Sequence, residues 1–356
     1  MKKIAVILAG GRGERFWPKS RRSKPKQFLN LVENEKTMLQ LAIERIRDII
    51  DLEDIYIVTN KNYKQIVMEQ VVEIPEENII IEPSGKNTAP CICLAATYIS
   101  KKYNESVMFV FPSDHFLQDE EVFLNTLNSA YEMSSTNNAL VTIGITPTYP
   151  ETGYGYIKYD QKTKILSCYK VDQFIEKPCK EKAKEYILES KYLWNSGIFI
   201  WRTSIILQNM KKDLPEIYEK IQKVFSIGDC DKRNKYLEQV YEEIPSVSID
   251  YGILEKANNV YVIPGNFGWD DVGSWLALER LNDLDEKGNV IQGNVINIKT
   301  KNSIIESEDK LVVAIGIKDV IVVESKDAIL ICSKQNISDI RKIPEELIKS
   351  DNRHYL

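Results

Sequence analysis

Three glycines within four positions, Gly10-Gly11-Arg12-Gly13, follow a short apolar run, and seven basic residues crowd the stretch that begins there: Arg12, Arg15, Lys19, Arg21, Arg22, Lys24 and Lys26. Glycines let a backbone approach a ligand closely and turn its N–H groups toward phosphate oxygens. Arg and Lys beside such donors suit a triphosphate and a departing pyrophosphate. Two familiar phosphate loops do not match. The fingerprint G-x-G-x-x-G fits Gly11 and Gly13 but meets Phe16 at its third glycine. The Walker A pattern ending at Lys19-Ser20 meets Pro18 where a glycine is needed. A strand-to-helix turn whose charges face solvent is the plainer alternative.

Acidic residues come next. Phe109-Val110-Phe111-Pro112-Ser113-Asp114-His115 sets Asp114 at the end of an apolar strand, and Gly268-Trp269-Asp270-Asp271 supplies two more carboxylates far along the chain. Mg²⁺ takes oxygen ligands, commonly one or two carboxylates plus substrate phosphates. An Asp after a strand serves equally well as a helix cap. Phe174-Ile175-Glu176-Lys177-Pro178 ends another strand. Lys177 suits a sugar phosphate and Glu176 its hydroxyls, although a Glu-Lys pair at a strand end is usually a solvated surface feature. In Glu82-Pro83-Ser84-Gly85-Lys86-Asn87-Thr88-Ala89-Pro90, Asn87 or Thr88 suits a helix cap with Pro90 in the first turn. Of two histidines, His115 and His354, neither stands in a recognisable nucleophile–base arrangement.

These side chains need a frame. Short β-rich runs at 3–8, 54–59, 78–81, 107–111 and 139–145 alternate with helix-period segments at 37–50, 62–72, 88–102 and 122–133. Such repetition implies an α/β fold of mostly parallel strands, with crossover helices on both faces and ligands at the carboxyl ends of the strands. Strands follow at 155–159, 169–176 and 197–202, then amphipathic helical stretches between 204 and 256. A polar break at 282–289 marks a boundary, giving domains 1–284 and 285–356. Beyond it, short strands at 290–298, 303–306, 311–315, 320–324 and 328–332 suggest a small β-solenoid or β-roll. A helix at 337–348 closes the chain, interrupted by Pro344.

Composition sets the outer bounds. The 356 residues allow one large domain plus a smaller module, and 43% hydrophobic with 28% charged residues is ordinary for a globular protein. A net charge of -5 and a pI near 5.5 exclude bulk nucleic-acid binding, so a phosphate must meet a local basic cluster. Cys91, Cys93, Cys168, Cys179, Cys230 and Cys332 contain no C-x-x-C pair, which reads as reduced thiols in a cytoplasmic protein. The apolar start, Ile4 to Ala9, is too short for a signal peptide, and no stretch has the length of a membrane span.

The run from Gly10 to Phe28, with Arg15, Pro18, Ser20, Arg21 and Pro25-Lys26-Gln27-Phe28, resembles the signature of the nucleoside-diphosphate-sugar pyrophosphorylases. Its Pro-Lys-Gln ending is similar to the guanylyltransferase branch acting on mannose-1-phosphate. The resemblance covers nearly the whole chain, including the β-rich tail. It implies a Rossmann-like nucleotidyltransferase domain at 1–284 that takes GTP and mannose-1-phosphate to GDP-mannose and pyrophosphate. By resemblance, Gly10, Gly11 and Gly13 hold the nucleotide with Asn87 and Thr88, and Arg15 and Lys26 hold its phosphates. Asp114 and Asp271 are the implied Mg²⁺ ligands, with Asp270 a rival for the second place. Glu176 and Lys177 match the sugar-phosphate motif. Gly155, in Thr152-Gly153-Tyr154-Gly155-Tyr156-Ile157, matches a sugar-facing loop, and Asn195, in Trp194-Asn195-Ser196-Gly197, a sugar-binding Asn. Ser248-Ile249-Asp250-Tyr251-Gly252 resembles a further sugar-side segment, against a strong alternative as a helix start.

The implied reaction is direct attack of the sugar phosphate on the α-phosphorus, with Lys177 on the incoming phosphate and no activated Ser, Cys or His. A homodimer is expected, and the phosphomannose isomerase domain that some relatives carry is not. Alternatives remain: a sibling enzyme for a heptose or glucose phosphate or another base, and a non-catalytic binding subunit on the same fold. A nicotinamide dehydrogenase is weakest, because its fingerprint is broken.

Overall fold

The computed structural model describes residues 1–11, 13–33 and 35–356, which divide into two compact units. Arg12, part of the basic run, lies outside the described residues. The first unit comprises Met1–Gly10, Ala42–Ser113 and Leu117–Trp269; the second comprises Gly11–Leu41, Asp114–Phe116 and Asp270–Leu356.

The first unit is built on nine strands: β1 (Lys2–Leu8), β2 (Ile55–Asn60), β3 (Ile79–Glu82), β4 (Ser106–Pro112), β5 (Leu140–Ile145), β6 (Tyr156–Ile165), β7 (Cys168–Ile175), β8 (Tyr192–Arg202) and β9 (Val260–Gly265). They form one sheet in the order β3-β2-β1-β4-β8-β5-β9-β7-β6. Only β7 and β8 run against the other seven. Ile4, Ala5, Val6 and Ile7 of β1 and Val107, Met108, Phe109 and Val110 of β4 are fully buried, as central strands covered on both faces require.

Helices α1 (Met38–Glu44), α2 (Lys64–Gln70), α3 (Thr88–Lys102) and α4 (Glu120–Thr136) fall between successive strands from β1 to β5. The helix-period segment at 37–50 yields only α1. Beyond it the N–H groups of Ile46, Arg47 and Ile49 bond three residues back, which is turn rather than α geometry. Helices α5 (Lys180–Leu188), α6 (Thr203–Asp213), α7 (Pro215–Val224) and α8 (Cys230–Glu243) follow. The apolar faces of α6, α7 and α8, including Ile206, Ile221 and Tyr241, join Ile92 and Ala95 of α3 in the core over β1, β2 and β4. One feature escapes a strand–helix–strand pattern: β8 inserts between β4 and β5, antiparallel to both. Its residues Ile198, Phe199, Ile200 and Trp201 are buried on both faces, which fits that central slot.

In the second unit, β10 (Val290–Gln292), β12 (Ile304–Ser307) and β14 (Val320–Ser325) stack in parallel, as do β11 (Val295–Ile298) and β13 (Val312–Ile315). This is a small β-helix, closed by β15 (Ala328–Ser333) antiparallel to β14. Gly293 divides the run expected at 290–298. It sits at φ +81°, and a Cβ there would lie 1.9 Å from the Ser307 carbonyl oxygen, so only glycine makes this corner. Val290, Ile304, Ile321 and Leu330 share a core with Phe16, Leu29, Met38 and Trp275, so the chain after the glycine loop packs in one body with the β-helix. The helix expected at 337–348 divides just before Pro344, into a 3-10 stretch at Lys334–Lys342 and an α-helix at Ile343–Lys349. Pro344 stands in the first turn of the latter, where its missing N–H costs nothing. Among the described residues no helix is long and apolar enough to cross a membrane.

Candidate active site

The glycine loop of the second unit folds back on the segment that carries Lys26. Gly13 has φ +59°, and a Cβ there would lie 2.4 Å from the Lys26 backbone nitrogen. Gln27 Nε2 donates to the Gly11 carbonyl at 2.9 Å, closing the turn from the other side. Lys26 is only 5% exposed; its Nζ lies 2.9 Å from Asp114 Oδ2 and donates to the Asp271 carbonyl at 2.5 Å. Arg15 Nη1 reaches the Gly273 carbonyl at 3.4 Å. Arg15, Lys26, Asp114, His115 and Asp271 all line one cavity of about 430 Å³. Burial alone would raise the Asp114 carboxyl, but Lys26 and His115 beside it hold it below its usual value. Burial lowers the His115 imidazole against the pull of Asp114.

Asp270 and Asp271 are neighbours with different surroundings. Asp270, 7% exposed, takes Arg280 Nε at 2.6 Å and Nη2 at 3.0 Å, and accepts the Val272 N–H at 2.7 Å. Asp271 lines the cavity. The basic run divides in the same way. Lys19 forms an ion pair with Glu306, and Arg21 pairs with Asp327 at 2.5 Å, donates to the Tyr355 carbonyl and lies over the Trp17 ring. Lys19 and Arg21 therefore tie this segment to the β-helix, leaving Arg15 and Lys26 as the members of the described run that line the cavity.

In the first unit, the chain leaves β1 through Gly10, where an added Cβ would stand 3.6 Å from Glu82 Oε2. Glu82, 5% exposed at the end of β3, accepts from Tyr241 Oη at 3.0 Å, and burial pushes its carboxyl up to about 7. Asn87, at φ +68°, caps α3 by accepting the Thr88 N–H at 2.9 Å. The Thr88 hydroxyl oxygen accepts the Ile249 N–H at 2.8 Å, and its O–H can still donate.

The next residue, Asp250, accepts from Asn195 Nδ2 at 2.7 Å. The Asn195 backbone N–H in turn donates to the Gly155 carbonyl at 2.8 Å. A Cβ on Gly155 would lie 2.7 Å from Glu176 Oε2, and Glu176 Oε1 lies 2.6 Å from Lys177 Nζ. Gly155, Glu176, Lys177, Asn195 and Asp250 thus form one polar cluster. Burial raises the Asp250 carboxyl, Asn195 opposes that, and Glu176 adds to it. Glu82 and Asp250 were not singled out by the sequence reading. Both lie in stretches noted above, but the burial of Glu82 and the Asn195 partner of Asp250 come from long-range packing that a sequence does not display.

The model of the nucleotidyl transferase family matches residues 4–288, and the chain belongs to that family. Residues 293–347 match the MannoseP isomerase/GMP-like beta-helix domain. Among curated relatives, the mannose-1-phosphate guanylyltransferase of Escherichia coli (strain K12) is 39% identical over 361 residues, covering 99% of this chain and 75% of that protein. The mannose-1-phosphate guanylyltransferase of Salmonella montevideo is 39% identical over 358 residues, covering 98% of this chain and 74% of that protein. The crystal structure of a mannose-1-phosphate geranyltransferase from Thermus thermophilus superposes with a TM-score of 0.88 at 31% identity, covering 98% of this chain and 99% of the other.

Proposed function

We propose that this chain transfers GMP from GTP to mannose-1-phosphate, giving GDP-mannose and pyrophosphate. The observation that carries the reading is the lining of one cavity by Arg15, Lys26, Asp114 and Asp271, in a chain similar over nearly its whole length to mannose-1-phosphate guanylyltransferases. An oxygen of the sugar phosphate attacks the α-phosphorus; the new P–O bond forms as the α–β bridging P–O bond breaks, and its electron pair leaves with pyrophosphate. The nucleophile is already anionic, so no proton has to be removed. Catalysis then rests on alignment and on neutralising charge.

Arg15 and Lys26 neutralise the triphosphate, and the loop of Gly10, Gly11 and Gly13, with Asn87 and Thr88 at the start of α3, holds the nucleotide. Lys177 meets the incoming phosphate, while Gly155, Glu176, Asn195 and Asp250 orient the sugar. The donor set fits Mg²⁺: Asp114 and Asp271 offer carboxylate oxygens to the same cavity, which is the usual protein share when phosphates supply further ligands. When bound, the ion would supply charge stabilisation to the triphosphate.

We further assign the catalytic residues to 1–284 and homodimer formation to 285–356. Ile296 and Ile298 of β11 stand in register with Val313 and Ile315 of β13, and all four side chains are about half exposed or more. Such a patch suits a second copy of itself. A cytoplasmic site of action accords with the six free thiols and with the GTP substrate.

Purified protein should release pyrophosphate from GTP only with mannose-1-phosphate and Mg²⁺ together, and not in EDTA. Release with another sugar phosphate or another nucleotide would move the specificity. No release with any pair would return the reading to a binding subunit.

A further inference from the structure

The second unit holds a larger cavity that the proposed chemistry does not use. It encloses about 680 Å³ between the segment 18–33 and the β-helix, within the size range of small-molecule sites. Its lining includes the buried carboxylate of Glu306, which is 6% exposed. One oxygen, Oε1, takes the Lys19 ammonium, while the other, Oε2, is fully buried with no hydrogen-bond partner among the described residues. A buried carboxylate oxygen without a donor bears the whole of its lost hydration, so a donor brought to it would be stabilising. Gly293, also in the lining, leaves this wall without a side chain.

The rest of the lining says what would bring that donor. Lys24 and Lys326 are exposed on the cavity wall and enter no ion pair among the described residues, whereas Arg21 is engaged by Asp327. The cations Lys19, Arg21, Lys24 and Lys326 are matched by the anions Glu33, Glu306, Glu308 and Asp327. A bare polyanion would find no net attraction there. Glu306 is already neutralised by Lys19, so a neutral hydroxyl suits it better than a second ammonium. We propose that this cavity binds a phosphorylated sugar, with hydroxyls donating to Glu306 and the phosphate held by Lys24 and Lys326.

Equilibrium dialysis of the full chain tests this, with labelled mannose-1-phosphate as probe and inorganic phosphate as a separate arm. The choice of probe rests on the function proposed above. Two equivalents per chain are expected in the wild type. Lys326→Glu, at an exposed position, should weaken one of them ~10-fold or more while kcat stays within about twofold; Glu306→Gln should do the same to the sugar ester. One equivalent, unchanged in both variants, would overturn the inference and leave the proposed activity intact. Inorganic phosphate binding as tightly as the ester at the second site would also overturn it. Loss of an equivalent in Lys326→Glu, from protein that releases no pyrophosphate, would uphold the second site and reject the activity instead.

Discussion

Asn195 Nδ2 donates to Asp250 Oδ1 at 2.7 Å, which joins strand β8 to the π-turn Asp250–Leu254. The bond before it in the chain of contacts, from the Ile249 N–H to Thr88 Oγ1, ties the same turn to the start of α3. A π-helical turn is rare and recurs at functional sites, and this one sets a half-buried carboxylate beside Glu176 and Lys177. Asp250→Ala should leave the Asn195 amide without its acceptor and lower kcat/KM for the sugar phosphate by roughly 10- to 100-fold, the scale of a lost hydrogen bond to a charged group. The loss should fall on KM for mannose-1-phosphate and spare KM for GTP. Equal effects on both substrates would remove Asp250 from the sugar side.

Lys177 sits at φ +48° with its side chain 62% exposed, so its place is not one that packing alone would select. Lys177→Ala should reduce turnover efficiency by on the order of 10²-fold, as for a lost electrostatic contact in a transition state. Thermal unfolding should hardly change. Near-wild-type kinetics would take Lys177 out of the mechanism.

The sequence made some of this legible and hid the rest for identifiable reasons. The central strands and α3 are local patterns, and β1 through β5 lie within a residue or two of where periodicity put them. The insertion of β8 between β4 and β5 is a long-range pairing that no local pattern carries. The basic run looked uniform because charge is all a sequence shows. In the fold, Lys19 and Arg21 meet Glu306 and Asp327, some three hundred positions away, while Lys26 meets Asp114. Asp270 and Asp271 could be ranked only by resemblance, since the partner that separates them, Arg280, is unremarkable in sequence.

That separation predicts two phenotypes for adjacent carboxylates. Asp270→Asn weakens a two-point grip on Arg280 and should destabilise the protein by roughly 1–3 kcal/mol, with activity per folded molecule largely kept. Asp271→Asn should abolish most Mg²⁺-dependent turnover in protein that stays folded. Urea unfolding beside pyrophosphate release separates the two. The reverse pattern would make Asp270 the ligand.

Gly13→Ala should be disruptive for a steric reason. The position needs φ +59°, and the added Cβ would meet the Lys26 backbone at 2.4 Å, where neither partner is a flexible side-chain end. A cost of about 1–3 kcal/mol is expected, with an activity loss larger than stability explains, because Lys26 must move. Full activity in a stable Gly13→Ala protein would show that the loop tolerates another path.

Glu82 gives the pH prediction. Burial pushes its carboxyl from 4.5 up to about 7, with Tyr241 and Cys91 opposing the rise. The folded state therefore binds a proton that the unfolded state releases between those two values. Stability from this group is fully present below pH 4.5 and is lost as pH rises through 7, by as much as about 3 kcal/mol. Glu82→Gln keeps an acceptor for Tyr241 and cannot ionise. Relative to wild type it should gain stability steadily from pH 5 to pH 8, and the gain should level off above that. Stability curves for the two proteins that run parallel across this window would mean that Glu82 is ionised in the fold at pH 5, and that its burial is compensated by donors other than Tyr241.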